Sequence, residues 1–262
     1  MCRYGRLLVA SNRLGCVGFH GDEGPTCGSF GVVLARVSIG LAMVFFAMAL
    51  VFGALASFDV GLNDPAPLSD DVAQRLVDFF ETTEAEYLLY GRWNDLAWAL
   101  GFTGLLVAVP FLPSVSRAKH VLISGAVLAI AGDMIDLSKL AGIQIARFGL
   151  DRGLEASFTG GNAFRTAINT TSTYVWVAGL FIFAMGLAIL ASDSSDRRWS
   201  TSSYLYAGAL IAVGVTGLWA QTPYPEAATT AATIAVIVWG LAAVRRIGDE
   251  PPLRQLTRTR RR

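Results

Sequence analysis

Asp133 and Asp136 stand three residues apart at the end of a run, Val121 to Gly132, that carries no charge, and Lys139 follows three residues later. Ionisable groups inside an apolar helix are costly, so such positions point to function or to tight pairing. At about 100° per residue the two acids share one helical face. Gln144 and Arg147 return to that face if the helix continues, which gives a polar stripe ending on Arg147. Asn94 and Asp95, with Arg92 just before them, open the preceding apolar run on the same side. The candidate binding residues are therefore Asp133, Asp136, Asp95, Lys139, Gln144 and Arg147, with no catalytic group, metal ligand or cofactor assigned.

Three chemistries fit these residues. A polar site open to the outer side would bind or conduct a small ion or polar solute through the acids. A structural knot would neutralise them with Lys139, Arg92 or Arg147, gluing neighbouring helices in a non-catalytic subunit of a membrane complex. An enzyme would use the D-x-x-D form of Asp133-Met-Ile-Asp136 to hold a divalent metal against a diphosphate. In that form, and in Ala146-Arg147, the segment resembles the membrane CDP-alcohol phosphotransferases. Leu137 stands where that family has glycine, and the downstream D-x3-D pair is missing. The resemblance implies a metal-dependent transferase, the least favoured of the three.

Other chemistries lack their residues. Of the two histidines, His20 precedes the apolar runs and His120 lies at the edge of one, so no buried pair exists for haem or zinc. There is no P-loop and no G-x-G-x-x-G. The basic cluster near the end of the chain carries no base readout, so nucleic acid is not an expected partner.

The elements that must position the acids are membrane helices. Of the 262 residues, 53% are hydrophobic and 16% charged, against about 25% charged in soluble domains. Apolar runs at 37–57, 93–112, 120–140, 173–191, 203–220 and 227–244 are each long enough to cross about 30 Å of hydrocarbon. The expected fold is all-α: a six-span bundle over residues 31–246, with a short amphipathic outer helix at about 69–91 between spans one and two. Numbering the sides alternately places 15 of the 21 basic residues on one side, which makes that side, with both termini, cytoplasmic. Arginine outnumbers lysine 19 to 2, a composition read as bacterial, with the plasma membrane as the location. The lipid bilayer, a small ion or polar solute and other membrane subunits are the expected partners.

Finer features follow. Residues 1–30 hold Cys2, Cys16, Cys27 and His20 without zinc-type spacing, and read as a disordered tail or a misassigned start. Residues 247–262 read as a basic tail for anionic lipid. The loop at about 141–172, with Gly160-Gly161, is expected to continue span three as a helix before turning. Gly179 and Gly186, then Gly208, Ala212 and Thr216, then Ala228, Ala232 and Ala235 are expected to allow close helix approach. Thr229, Thr230 and Thr233 either line a polar pocket or bond back to their own helix. Trp93, Trp176, Trp199 and Trp219 are expected at the membrane interfaces. Phe46-Ala-Met-Ala-Leu50 and Phe183-Ala-Met-Gly-Leu187 hint at an inverted repeat.

Overall fold

The computed structural model describes residues 27–56, 84–113, 116–218 and 225–249. These are helical almost throughout: α1 (Cys27–Ala56), α2 (Glu84–Ala108), a 3-10 turn (Val109–Phe111), α3 (Ser116–Leu137), α4 (Lys139–Arg152), α5 (Glu155–Ser192), α6 (Arg197–Leu218) and α7 (Pro225–Asp249). Six stretches are long and apolar enough to cross a membrane: Phe30–Gly53, Leu89–Phe111, Ser116–Arg152, Glu155–Ser192, Arg197–Leu218 and Ala228–Ile247. Each corresponds to one of the six apolar runs. Cys27 belongs to α1 rather than to a tail, while Cys2, Cys16, His20, Trp219 and the basic residues from Arg254 onward lie outside the described residues. So does most of the expected 69–91 helix; its last part, from Glu84, is continuous with α2.

The spans form a closed ring in chain order. α1 packs on α2, α2 on α3, α3 on α5, α5 on α6 and α6 on α7, and α7 returns to α1. Arg36 Nε donates to the Val244 carbonyl at that last seam. Neighbours run antiparallel, so the bundle has two ends. The end where α1 starts and α7 finishes is here called the base, and the other the crown.

The centre of the ring is filled by aromatic rings. Phe46 from α1 and Phe183 from α5 meet Phe102 of α2 edge-on at 5.2 and 5.6 Å. The two phenylalanines of the paired F-A-M motifs thus converge on one partner. Phe183 continues to Tyr206, Tyr206 to Trp239, and Trp239 stacks on Trp199. All of these are fully buried or nearly so. Trp199 is therefore a core residue, contrary to its expected interfacial place: α6 begins at Arg197, so Trp199 sits in its first turn and points inward. Trp93 is 45% exposed. The outward faces are apolar: Val33, Val37, Leu41 and Val44 of α1 and Leu241 and Val238 of α7 are all exposed.

α3 and α5 make the closest seam. A Cβ on Gly132 would meet the Trp176 backbone at 2.7 Å, and Gly125 and Gly179 lie as tightly against Phe183 and Ala129. Gly186 faces Leu122. As residue numbers rise along α3 they fall along α5, in a constant register that places Asp136 beside Ser172. The pairing continues past Ser138 along α4, where Gly142 and Gly149 back onto Arg165 and Phe158. α5 has 38 residues, or about 57 Å at 1.5 Å per residue, nearly twice a hydrocarbon core of about 30 Å. The α4–α5 hairpin therefore projects beyond the other helices at the crown. It turns at Gly153, whose φ of 62° is the left-handed conformation that glycine tolerates best. Gly160 and Gly161 lie within α5, so the long loop is a helical hairpin turning earlier than that pair.

Candidate functional site

The acids gather where α2, α3, α4 and α5 meet, at the crown side of the spans. The break between α3 and α4 sets their geometry. Ser138 interrupts the helix, and its amide and hydroxyl both donate to the Ile135 carbonyl, at 2.9 and 2.6 Å. A serine bonded back to its own backbone loosens the helical ladder. Lys139 begins the next helix and its ammonium donates to Asp136 Oδ2. The same ammonium lies 3.9 Å from Asp95 Oδ2 on α2. All three side chains are largely buried, 14–18% exposed. Asp136 Oδ1 accepts from the Ser172 hydroxyl of α5 at 2.7 Å. Asp136 is thus satisfied on both oxygens, and one lysine joins helices α2, α3 and α4.

Asp95 is held by its own surroundings. The preceding Asn94 donates to the Ala49 carbonyl of α1 at 2.7 Å, and its amide fills the space beside Gly53. Trp93 stacks on Phe52 at 6.2 Å. These contacts fix the rotation of α2 and aim Asp95 at α4.

Asp133 is different. It is 6% exposed, within electrostatic reach of Asp95, Asp136 and Lys139, yet its Oδ2 has no hydrogen-bond partner among the described residues. Trp176, packed over Gly132 next to it in sequence, has a buried and equally unpartnered Nε1. Trp176 meets Trp98 edge-on at 5.6 Å, and its Cζ3 edge faces Gly217. The Nε1 edge therefore points away from α6. A buried acceptor and a buried donor, both unsatisfied, sit one residue apart along the same seam.

The structure thus brings together Asp95, Asp136 and Lys139, adds Asp133 as a close neighbour, and supplies Ser172 and Trp176, which the sequence reading did not assign. Gln144 is exposed on α4. Arg147 is directed to Asp151, one turn on, with its Nε 3.1 Å from Oδ1. The stripe expected from Asp133 to Arg147 assumed an unbroken helix; the break at Ser138 changes its course. Arg92 is exposed on α2. Among the described residues no three of His, Cys, Asp or Glu are arranged to hold a metal ion; Asp95 lies near the D-x-x-D pair but shares Lys139 with Asp136. Thr233 donates to the Thr229 carbonyl at 3.0 Å, the back-bonded alternative.

No protein-family model, no curated protein and no solved structure matches this chain. The functional reading rests on the site alone.

Proposed function

We propose that this is a multi-pass membrane protein that binds a small cation or cationic polar solute at Asp133, reached from the crown. One observation carries the reading: of the three clustered acids, Asp95 and Asp136 share Lys139, whereas Asp133 keeps a buried oxygen with no partner. A buried carboxylate oxygen without a donor costs about 1–3 kcal/mol or more, which a ligand donor would recover. Trp176 Nε1, a buried donor on the same α3–α5 seam, favours a ligand that can also accept a hydrogen bond, such as a hydrated ion or a hydroxylated amine. The aromatic packing below the site argues for binding rather than conduction, because Phe46, Phe102 and Phe183 close the ring centre.

The crown then faces the outer side and the base the cytoplasm, in a bacterial plasma membrane. The basic residues support this orientation through the positive-inside rule.

The test is thermal unfolding in detergent with sodium, potassium, ammonium and ethanolamine as probes. A probe at a hundredfold excess over its Kd stabilises by about 2.7 kcal/mol. At least one should raise the Tm of the wild type and leave Asp133→Asn unmoved. If none shifts the wild type, or if both proteins shift equally, the reading is wrong.

The second reading, a structural subunit with the aspartates as packing ion pairs, has the Lys139 bridge in its favour. It accounts for Asp95 and Asp136 and leaves Asp133 unexplained.

A further inference from the structure

A second group of unpartnered polar atoms lies at the base, at the opposite end of the aromatic chain. Trp199, 2% exposed, stacks between Trp239 on one side and the Arg246 guanidinium, 5.8 Å from its ring centre. The two stacked indoles differ. Trp239 Nε1 donates to Ser203 Oγ at 3.1 Å, whereas Trp199 Nε1 is buried with no acceptor. Arg246 Nε is also buried with no acceptor. Both groups are donors only, so each needs an oxygen that the described residues do not provide.

The nearby charges indicate what kind of oxygen. Asp193 and Asp196 are the acids between α5 and α6, and the Asp196 carboxylate is occupied. Oδ2 takes Arg246 Nη1 at 2.8 Å, and Oδ1 takes the Arg198 amide at 2.9 Å and, more loosely, the Trp199 amide. Arg197 and Arg198 follow Asp196 in sequence and Arg245 precedes Arg246, all three exposed. Arg197, Arg198, Arg245 and Arg246 against Asp193 and Asp196 leave an excess of two positive charges near the start of α6, where a helix favours anions. The Arg246 side chain keeps 22% exposure, none of it at the buried Nε, so a ligand would enter along the exposed part of the guanidinium.

We propose that Trp199 Nε1 and Arg246 Nε bind a phosphate group, with Arg197, Arg198 and Arg245 supplying the field that draws it. Phosphate has several acceptor oxygens on one centre, so it can serve two donors at once. Two sources carry this chemistry: the headgroup of a lipid in the leaflet at the base, and free phosphate. The lipid is the source present at that depth if the spans are inserted, and basic clusters beside membrane helices recognise such headgroups. The site is independent of Asp133 and stands or falls separately.

The experiment is native mass spectrometry of the full chain titrated with phosphatidylglycerol, comparing wild type, Trp199→Phe and Arg246→Gln. Trp199→Phe keeps a ring against Trp239 and removes only the N–H. Loss of one hydrogen bond to a charged acceptor should lower the lipid-bound fraction about fivefold or more. Tm is followed in parallel, so that a variant with weaker binding but an unchanged lipid-free Tm counts as a binding defect. Displacement of lipid by inorganic phosphate would assign the site to any phosphate anion. Retention against phosphate would assign it to the lipid. Binding within twofold of wild type in both variants would overturn the proposal.

Discussion

The Ser172 hydroxyl donates to Asp136 Oδ1 at 2.7 Å, joining α5 to α3 across 36 residues of chain. Ser172 is 2% exposed, and the Asp136–Lys139 and Asp95–Lys139 contacts occupy the other side of the knot. Ser172→Ala should therefore lower stability by about 1 kcal/mol, within the range for hydrogen bonds between membrane helices. Unfolding in a graded detergent mixture would read this, and an unchanged midpoint would show the bond to be inert.

Lys139 couples the acids. Lys139→Met leaves Asp95 and Asp136 without that ammonium and should cost roughly 3 kcal/mol, as removal of one partner from a buried pair does. Adding Asp136→Asn should recover part of the loss, because one of the two buried acids left without the ammonium is removed. A double-mutant cycle on unfolding free energies measures this. Strictly additive effects would mean that the two residues do not act as a unit.

The α3–α5 seam makes an opposite prediction for two glycines. Gly132→Ala puts a methyl against the Trp176 backbone and should cost about 2 kcal/mol or prevent folding, since backbone rather than a flexible side chain must move. Gly208 has open space around a built Cβ. Gly208→Ala should be neutral or gain up to about 1 kcal/mol from helix propensity. Equal effects at both positions would contradict the tight seam.

Tyr206 is fully buried with a hydroxyl that has no partner. Tyr206→Phe keeps the ring contacts to Phe183 and Trp239 and removes an unsatisfied group. It should be neutral or stabilise by about 1 kcal/mol. A loss of stability would show that the hydroxyl is bonded in the folded protein.

The six long helices were legible because apolar runs of membrane length leave little choice of structure. Their ends were not. α5 begins at Glu155, and nothing in the polar stretch before Thr173 marks it as helix; its stability there comes from the Gly161–Ala146 and Phe158–Gly149 contacts with α4. Of the site, Asp95, Asp136 and Lys139 could be placed by spacing along one hairpin. Gln144 and Arg147 could not, because one serine at 138 breaks the helical phase. Ser172 and Trp176 required the register between α3 and α5. The glycine repeats alone do not give that register: Gly125 and Gly132 set opposite Gly186 and Gly179 would put Val175 at Asp136, whereas Gly125 lies on Phe183 and Gly132 on Trp176, an offset that puts Ser172 there. Trp199 resisted for another reason: at the end of a span, an indole facing the core and one facing lipid share the same sequence signature.

The central claim is that Asp133 takes a ligand while Asp136 holds the fold. Native mass spectrometry of gently extracted protein tests it with Asp133→Asn and Asp136→Asn side by side. A small species retained by wild type and by Asp136→Asn, but lost from Asp133→Asn at unchanged stability, is the predicted result. Loss from Asp136→Asn with retention by Asp133→Asn would contradict the account, and so would wild type that carries no such species.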